Sequence, residues 1–416
     1  MSPITPFKIS VPESKIIRLQ RLLALTDFPT EPTNIEPWTR GPPLADIKRL
    51  AHVWQHSFNW RAIEAKLNEL PQYMAQIEIE GHGLNEIHFI HQPSVIKSAI
   101  PLLFVHGWPG SFLEVTKILP ELTEGGDEYP AFHVVAPSLI DFGFSSASKE
   151  ASVKSGFNVD QHAEACHKLM QALGYSEYVV QGGDLGSAVA RILASTYGPN
   201  SCKAQLINNA APAQPTAESH PELHARVQAT ALTDGELAGL KRTQEFGENG
   251  NAFYRLQSTR PLTIAYSLSS SPVGLLAWIY EKLHDWADDY PWTETEILTW
   301  VSVYYFSRAG PSASLNIYYE NEHRHPKKTL FAEMQVEIPD VPLGIARFPK
   351  DLILLPKLWH HTMGPVVYEN EHTRGGHFPA WECPDAIVED LRTMFGKDGG
   401  AYRCTGESDG YRVAND

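Results

Sequence analysis

Between residues 98 and 210 the chain alternates short apolar runs with segments of helical periodicity. The apolar runs occupy residues 101–105, 132–136, 178–181 and 202–208. Strands that are buried on both faces give continuous apolar runs, and helices between such strands indicate parallel pairing. The pattern therefore predicts a mostly parallel sheet flanked by helices, which we place at residues 112–119, 159–173 and 187–197.

The segment ahead of this region, residues 1–97, alternates helical patterns with proline-rich turns. Apolar residues recur at helical spacing over 15–25 and 44–70, and five prolines lie between these two predicted helices. Apolar and polar positions alternate on both sides of Gly81-His-Gly83, over 77–80 and 87–90, which predicts a β-hairpin.

A third pattern begins near residue 211, where helical stretches and polar turns replace the buried runs. It predicts a helical cap inserted into the α/β unit. The alternation resumes with apolar runs at 341–346 and 365–368 and closes with a helix at 384–394. We therefore divide the chain into an N-terminal segment (1–97), a first core part (98–210), the cap (211–338), a second core part (339–398) and a loose tail (399–416).

Composition and charge exclude some classes of partner. Hydrophobic residues make up 43% and charged residues 20% of the chain, which is ordinary for a globular protein. With 34 Lys and Arg against 49 Asp and Glu, the net charge is −15. Proteins that bind nucleic acid or anionic membranes normally present a basic face. We therefore expect neither of these partners.

No metal or cofactor is expected. The chain has four cysteines, too few for a disulfide framework and without metal-ligand spacing. The pairs His323/His325 and His360/His361 lack a sensibly spaced third ligand for zinc. Free thiols are typical of a reducing compartment.

We also expect a cytoplasmic protein without a membrane anchor. The first 25 residues carry five charged side chains and no apolar core of a signal peptide. The most apolar run, residues 99–105, is too short to cross a bilayer.

The motif Gly182-Gly-Asp-Leu-Gly186 carries the most chemical information. It follows the predicted strand at 178–181 and opens a predicted helix. A nucleophile on such a turn needs small neighbours, because its backbone is strained and lies close to other parts of the chain. Serine is the usual occupant, and here it is Asp184. A carboxylate in this position can attack an sp³ carbon and form an alkyl ester.

Two later loops complete the order nucleophile, acid, histidine of the α/β-hydrolase fold. Gly375-Gly-His-Phe-Pro379 supplies His377, a candidate general base on a mobile loop. Phe348-Pro-Lys-Asp351 supplies Asp351, which would hold the imidazole tautomer and stabilise the imidazolium. Glu369 and Glu371 are competitors for the role of the acid.

The motif His106-Gly-Trp-Pro-Gly110 directly follows the run at 101–105. In α/β-hydrolases the corresponding loop donates one backbone N–H to the oxyanion hole, and the residue after the nucleophile donates the other. We therefore expect the N–H groups of Trp108 and Leu185 to form the hole. With a water activated by His377, this constellation predicts hydrolysis in two half-reactions.

The leaving group on the attacked carbon is a halide or an epoxide oxygen. An epoxide oxygen leaves as a strongly basic alkoxide and needs an acid. Tyrosine, with a pKa of about 10, can donate to it while staying protonated at neutral pH. The predicted cap is rich in tyrosines, most of which we expect in the core or on the surface.

Taken together, the motifs resemble those of the epoxide hydrolase family of the microsomal type, including its soluble fungal and bacterial members. The resemblance covers nearly the whole chain, beginning with an N-terminal lasso segment. The motifs that carry it are Trp54 with Phe58-Asn-Trp60, His106-Gly-Trp-Pro-Gly-Ser111, Gly182-Gly-Asp-Leu-Gly186, Gln257-Ser-Thr-Arg-Pro261, Ser271-Pro-Val-Gly-Leu275, Phe348-Pro-Lys-Asp351 and Gly375-Gly-His-Phe378.

The resemblance implies a residue for each role. Asp184 would be the nucleophile, His377 the base and Asp351 the charge-relay acid. Members of the family activate the epoxide with two cap tyrosines, one of which precedes a Glu by two residues, as Tyr318 does here. The position of the other, eight residues before Pro261, is occupied by Phe253.

The neighbour of Phe253 is Tyr254, one residue late, and on a helix that offset turns a side chain by about 100°. Either the backbone slips and Tyr254 serves as the second donor, or this protein has a single activating tyrosine.

The resemblance further implies a cofactor-independent enzyme that opens a small hydrophobic epoxide to a vicinal diol. Since the chain begins at the lasso, it resembles the soluble members, several of which dimerise through the cap, and we expect a homodimer of this kind. Two alternatives stay open: a haloalkane dehalogenase-like hydrolase, and a family member that acts as a cyclase or a ligand-binding protein.

Overall fold

A single sheet forms the centre of the molecule. The computed structural model describes residues 4–147, 155–324, 326 and 328–412. The strands run in the order β1-β2-β3-β5-β4-β7-β8-β9-β10, and β6 pairs with β3. In chain order they are β1 (Thr5–Pro6), β2 (Gln72–Ile79), β3 (Gly83–Gln92), β4 (Ile100–Val105), β5 (Phe132–Pro137), β6 (Ser146–Ala147), β7 (Tyr178–Gly182), β8 (Cys202–Asn208), β9 (Leu343–Arg347) and β10 (Val366–Glu371).

The expected parallel sheet is confirmed over six of these strands. β4 pairs with β5 and β7, and β7, β8, β9 and β10 continue the parallel order. Strands β4, β7, β8 and β9 are almost entirely buried, as their continuous apolar runs require. Because parallel strands end at one edge, the loops that follow them meet there.

The helices outside the cap belong to the N-terminal segment and to the core. The N-terminal segment contains α1 (Glu13–Ala24), α2 (Leu44–His56) and α3 (Trp60–Leu67). The core contains α4 (Leu119–Glu124), α5 (Val159–Ala172), α6 (Leu185–Tyr197), α15 (Pro379–Glu382) and α16 (Pro384–Phe395).

Between residues 211 and 338, the described part of the chain contains helices and no strand. They are α7 (Pro221–Ala229), α8 (Asp234–Glu245), α9 (Ala252–Thr259), α10 (Pro261–Ser270), α11 (Pro272–Asp285), α12 (Glu294–Tyr305), α13 (Asn316–His323) and α14 (Leu330–Met334). Within the described residues, no single helix is long and apolar enough to cross a membrane. The helices α10 and α11 together meet the criteria of length and composition, but the pair is bent by 116°.

The N-terminal segment is structurally continuous with the core. The expected hairpin around residues 81–83 is present as β2 and β3, and β3 pairs antiparallel with β5 of the core. The expected helix at 44–70 is wrong in one respect, because it is two helices that break at residues 57–59. The Asn59 side chain accepts a hydrogen bond from the Ala62 N–H at 3.2 Å and so starts a new helix.

Two further expectations differ from the structure. The helix expected at 112–119 is a 3₁₀ helix over Phe112–Lys117 followed by α4, with Pro120 in its first turn. The expected loose tail packs onto the core up to residue 412, because Gly410 bonds through its carbonyl and N–H to Ala131 and Ser98 at 2.8 and 2.7 Å. Residues 413–416 lie outside the described range.

Two tryptophans attach the N-terminal helices to the cap. Trp54 of α2 donates its indole N–H to Ser302 Oγ of α12 at 3.1 Å. Trp60, at the start of α3, packs on the Phe306 ring with centroids 4.8 Å apart. Both tryptophans are buried, so this contact is part of the continuous hydrophobic core.

We predict that Trp54→Ala destabilises the protein by about 3–5 kcal/mol, because it leaves a cavity between α2 and α12 and removes the indole donor. Urea unfolding measures the change. The control is Leu25→Ala, whose parent side chain is 80% exposed, and which should stay within about 0.5 kcal/mol. Equal midpoints and slopes for the two variants would show that the segment is not held through Trp54.

Candidate active site

Asp184 occupies a strained turn between β7 and α6. Its φ of 53° lies in the region that non-glycine residues rarely adopt. The turn is possible because the glycines around it carry no side chain. A Cβ at Gly186 would stand 2.0 Å from the Val105 carbonyl oxygen, and a Cβ at Gly107 would stand 2.4 Å from the Asp184 Cβ. The small residues of the motif therefore let β4, the turn and α6 approach closely.

The Asp184 carboxylate is held by backbone groups. The Trp108 N–H donates to Oδ1 at 2.9 Å. The N-terminus of α6 begins directly after Asp184, and a helix N-terminus stabilises negative charge. The register Val105 to Gly182 between β4 and β7 brings the loop of Trp108 beside the turn.

His377 lies between two carboxylates. Its Nδ1 is 2.7 Å from Asp351 Oδ1, and its Nε2 is 3.4 Å from Asp184 Oδ2, longer than a normal hydrogen bond. The His377 side chain is buried. The structure therefore brings together the three residues that the sequence singled out as nucleophile, base and acid.

Asp351 accepts hydrogen bonds from three further donors, two at its carboxylate and one at its backbone carbonyl. The Leu352 N–H donates to its Oδ1 at 2.7 Å, and the Asn209 amide donates to the same atom at 3.3 Å. Arg242, from α8 of the cap, donates to the Asp351 backbone carbonyl at 2.7 Å. These bonds orient the carboxylate toward the imidazole.

The two carboxylates determine the charge of His377. Burial alone would lower the pKa of His377, but Asp351 and Asp184 outweigh burial and raise that pKa to about 10. The resting imidazole is therefore a cation at neutral pH. A nearby carboxyl group, Glu114, adds no third negative charge, because burial raises its pKa to about 8 against the opposing effect of the His377 cation.

The competing acids lie elsewhere. Glu369 Oε1 is 2.8 Å from His360 Nδ1, and Glu371 pairs with Lys357. Of the remaining histidines considered for a metal, His323 bonds to the Tyr319 carbonyl at 2.9 Å, and His325 lies outside the described residues.

Tyr318 lies on α13 against Trp108, whose backbone N–H holds Asp184. Its side chain is buried, and its ring packs edge-on against the Trp108 indole with centroids 5.8 Å apart. Burial, with the charge of Asp184 nearby, raises the pKa of Tyr318 well above its usual value. The hydroxyl therefore stays protonated at neutral pH and can donate a hydrogen bond.

The structure separates the roles of Phe253 and Tyr254 on α9. The Phe253 ring stacks on the Trp108 indole at 5.1 Å with an interplanar angle of 11°. Tyr254 packs edge-on against the Tyr318 ring, but its hydroxyl donates to Glu322 Oε1 at 2.6 Å. The ring that faces the expected oxyanion loop is thus the one without a hydroxyl.

A cavity of about 590 Å³ lies behind these two rings. Its lining is mainly apolar and includes Phe246, Phe331, Ile353 and Leu355 in addition to Phe253 and Tyr254. Asp184 does not line this cavity, and its side chain is 23% exposed.

Sequence reasoning missed several residues of the site. Asn209 follows β8 directly, and its place at the carboxyl end of a predicted strand was the one signal that could have found it. Arg242 and Glu114 had no such signal, because each reaches the site only through the packing of distant segments.

The chain is similar to known proteins over most of its length. Residues 4–115 match the family model described as the epoxide hydrolase N terminus, and residues 100–246 match that of the alpha/beta hydrolase fold. Epoxide hydrolase 1 of Sus scrofa is 31% identical over 94% of this chain and 88% of its own length.

Solved structures of epoxide hydrolases are similar to this chain over nearly its whole length. The epoxide hydrolase of Aspergillus niger is 33% identical, with a TM-score of 0.78 over 94% of this chain and 95% of that chain. The juvenile hormone epoxide hydrolase of the silkworm Bombyx mori is 25% identical, with a TM-score of 0.82 over 94% of this chain and 93% of that chain. The expected α/β-hydrolase fold is confirmed.

We predict that Gly186→Ala destabilises the protein by about 1–3 kcal/mol, because the new Cβ forces α6 away from β4. It should also displace Asp184 and abolish turnover. Thermal unfolding and an activity assay measure both effects. Gly126→Ala is the matched control, because its added Cβ would stand no closer than 4.0 Å to any neighbouring atom. A Gly186→Ala variant as stable and active as the control would contradict the close approach.

Proposed function

Because the chain belongs to the epoxide hydrolase family of α/β-hydrolases, we propose that it opens an epoxide to a vicinal diol through a covalent ester on Asp184, which water activated by His377 then hydrolyses. The observation that carries the proposal is the position of His377 Nε2, 3.4 Å from the nucleophile, while Nδ1 is bonded to Asp351. This is the arrangement that a base needs to deliver water to an ester on Asp184.

In the first half-reaction, Asp184 Oδ2 attacks an epoxide carbon, a C–O bond forms, and the ring C–O bond breaks. The departing oxygen takes the proton of the Tyr318 hydroxyl. Oδ1 is already bonded to the Trp108 N–H, so it becomes the ester carbonyl oxygen and lies in the oxyanion hole.

Alkylation also prepares the base. The ester is neutral, so His377 loses one of the two anions that hold its proton, and its pKa falls. The Tyr318 phenolate then takes a proton back from His377. The neutral imidazole can now accept a proton from water, and Asp351 stabilises the imidazolium that forms.

In the second half-reaction, water attacks the ester carbonyl carbon. The N–H groups of Trp108 and Leu185 stabilise the resulting oxyanion. Its collapse breaks the bond between this carbon and the diol oxygen, which leaves with a proton, and Asp184 returns to a carboxylate that contains the oxygen of the water. The protons balance, because one water supplies both hydrogens that the epoxide gains.

Tyr318 favours an epoxide over a halide substrate. A halide leaves as a stable anion and needs no acid, whereas an alkoxide does. The Tyr318 hydroxyl is buried, stays protonated and lies within the electrostatic influence of Asp184, and a haloalkane dehalogenase would have no use for it. The same argument disfavours a ligand-binding protein, since its site would not require the pairing of His377 with two carboxylates.

The cavity behind Phe253 and Tyr254 adjoins the site without being lined by Asp184, His377 or Tyr318, so it offers space for the substituent of the substrate and not for the epoxide ring. Its volume of about 590 Å³ and its mainly apolar lining fit a hydrophobic epoxide whose substituent lies against Phe253 and Ile353. Stereochemistry depends on which carbon of such a substrate faces Asp184.

We predict that His377→Gln forms the ester but hydrolyses it slowly, because the base is lost after alkylation. Mass spectrometry after mixing with styrene oxide should show one substrate attached to the peptide that contains Asp184. Asp184→Ala is the control and should show no adduct and at least about a 10³-fold loss of turnover. In a single turnover of the wild type in heavy-oxygen water, the label should enter Asp184. A label in the diol instead would indicate direct attack by water.

We further predict that Tyr318 carries nearly all of the acid function. Tyr318→Phe should slow ester formation by about 10²–10⁴-fold while leaving hydrolysis of a formed ester nearly unchanged. Tyr254→Phe should cost little, because the Tyr254 hydroxyl is bonded to Glu322. Phe253→Tyr should accelerate ester formation by adding a donor beside Trp108.

Stopped-flow rates of ester formation for these three variants test the prediction. Equal losses in Tyr254→Phe and Tyr318→Phe would show that two tyrosines share the work. No loss in either variant would remove the epoxide assignment and favour a halide substrate, which a halide-release assay would detect.

A further inference from the structure

The loop that carries His377 has a bonded backbone N–H at four consecutive residues. Gly375 N–H donates to Asp288 Oδ2 at 2.8 Å, and Gly376 N–H donates to Glu382 Oε2 at 3.1 Å. His377 N–H donates to the Trp286 carbonyl at 2.8 Å, and Phe378 N–H donates to Glu382 Oε1 at 2.8 Å. Three of the four acceptors are carboxylate oxygens.

Glu382 is the centre of this set. Its two oxygens accept three backbone N–H groups, from Gly376, Phe378 and Asp288, the last at 2.7 Å. Glu382 lies at the end of α15, five residues after His377, whereas Asp288 belongs to the cap just after α11. A single carboxylate thus joins the loop that carries His377 (residues 375–378, the base loop) to the cap.

The base loop is also pressed against the cap. A Cβ on Gly376 would stand 2.4 Å from the Trp286 carbonyl oxygen and 2.9 Å from the Ala287 Cα. The Trp286 ring packs edge-on against the His377 ring with centroids 5.0 Å apart. The position of the imidazole therefore depends on the cap segment 286–288.

The charge of Glu382 acts on His377 as well. Burial raises the pKa of Glu382, while the three N–H bonds and the His377 cation oppose that rise. The favourable interaction is mutual, so the carboxylate stabilises the imidazolium that forms when water is deprotonated.

We propose that Glu382, with Asp288 of the cap, is the positioning residue that holds His377 for ester hydrolysis and couples the cap to the base. This inference rests on the proposed function, because it requires an ester on Asp184. It assigns no contact with substrate to Glu382. The rate of ester formation should not depend on the contacts of Glu382 and Asp288. Asp184 is held by β7, α6 and the Trp108 N–H, and Tyr318 is held by α13.

The experiment compares Glu382→Gln, Asp288→Ala and the control Glu389→Gln in the full-length enzyme. Glu389 is an exposed glutamate of α16, so its substitution removes the same charge without touching the loop. Rapid quenching after mixing with styrene oxide gives the rates of ester formation and decay on Asp184.

We expect ester decay in Glu382→Gln to be about 10- to 100-fold slower, because a displaced base loses its alignment with the attacking water. Ester formation should stay within about twofold of the wild type, and the ester should accumulate. The midpoint of the pH profile of decay should move to lower pH, because removing a negative charge lowers the pKa of His377. The control should match the wild type in all three measurements.

Asp288→Ala keeps the proposal testable if Glu382→Gln does not fold. This variant leaves Glu382 and its N–H donors in place and removes only the acceptor of the Gly375 N–H. Asp288→Ala should also slow the decay of the ester on Asp184 without slowing its formation.

Unchanged decay and an unchanged pH profile in the folded variants would overturn the proposal. An equal slowing of both half-reactions would also overturn it, because that result indicates general support of the fold. An absence of ester in the wild type would instead overturn the proposed function, and the coupling with it.

Discussion

The site depends on one buried cation that two carboxylates share. The proposed mechanism requires that His377 hold its proton firmly before an ester forms on Asp184 and release it afterwards. Both demands follow from the placement of Asp184 and Asp351 on opposite ring nitrogens. The surrounding contacts maintain this balance, because Asn209 and the Leu352 N–H hold Asp351, and the Trp108 N–H and the N-terminus of α6 hold Asp184.

The cap supplies more than a cover for this charge arrangement. It contributes Tyr318, which we propose as the acid, the ring of Phe253 that stacks on Trp108, and the Arg242 side chain that supports the loop of Asp351. It also supplies the carbonyl of Trp286, which accepts the His377 N–H. The core therefore carries Asp184, Asp351 and His377, while the cap adds Tyr318 and contacts the loops that hold Asp351 and His377.

Much of this could be predicted from the sequence, because the information is local. Buried apolar runs specify parallel strands, and glycines around Asp184 specify a turn that only small neighbours permit. The break at residues 57–59 was missed because a single cap residue, Asn59, overrides a continuing helical periodicity. The choice between Asp351 and Glu369 needed the structure, since Asp351 follows β9, Glu369 lies near the end of β10, and their partners distinguish them. The bond from Tyr254 to Glu322 joins residues 68 positions apart, and no local pattern specifies it.

The stacking of Phe253 on Trp108 has a consequence for the release of product. The Trp108 indole belongs to the residue whose N–H holds the nucleophile, and it is enclosed by Phe253, Trp286 and Tyr318 of the cap. A rigid lifting of the cap would strip these rings from the indole and withdraw the Trp286 carbonyl from the base loop. The catalytic geometry would then have to be rebuilt in every cycle. We therefore expect the diol to leave past individual side chains that line the cavity, while the cap keeps its contacts with the core.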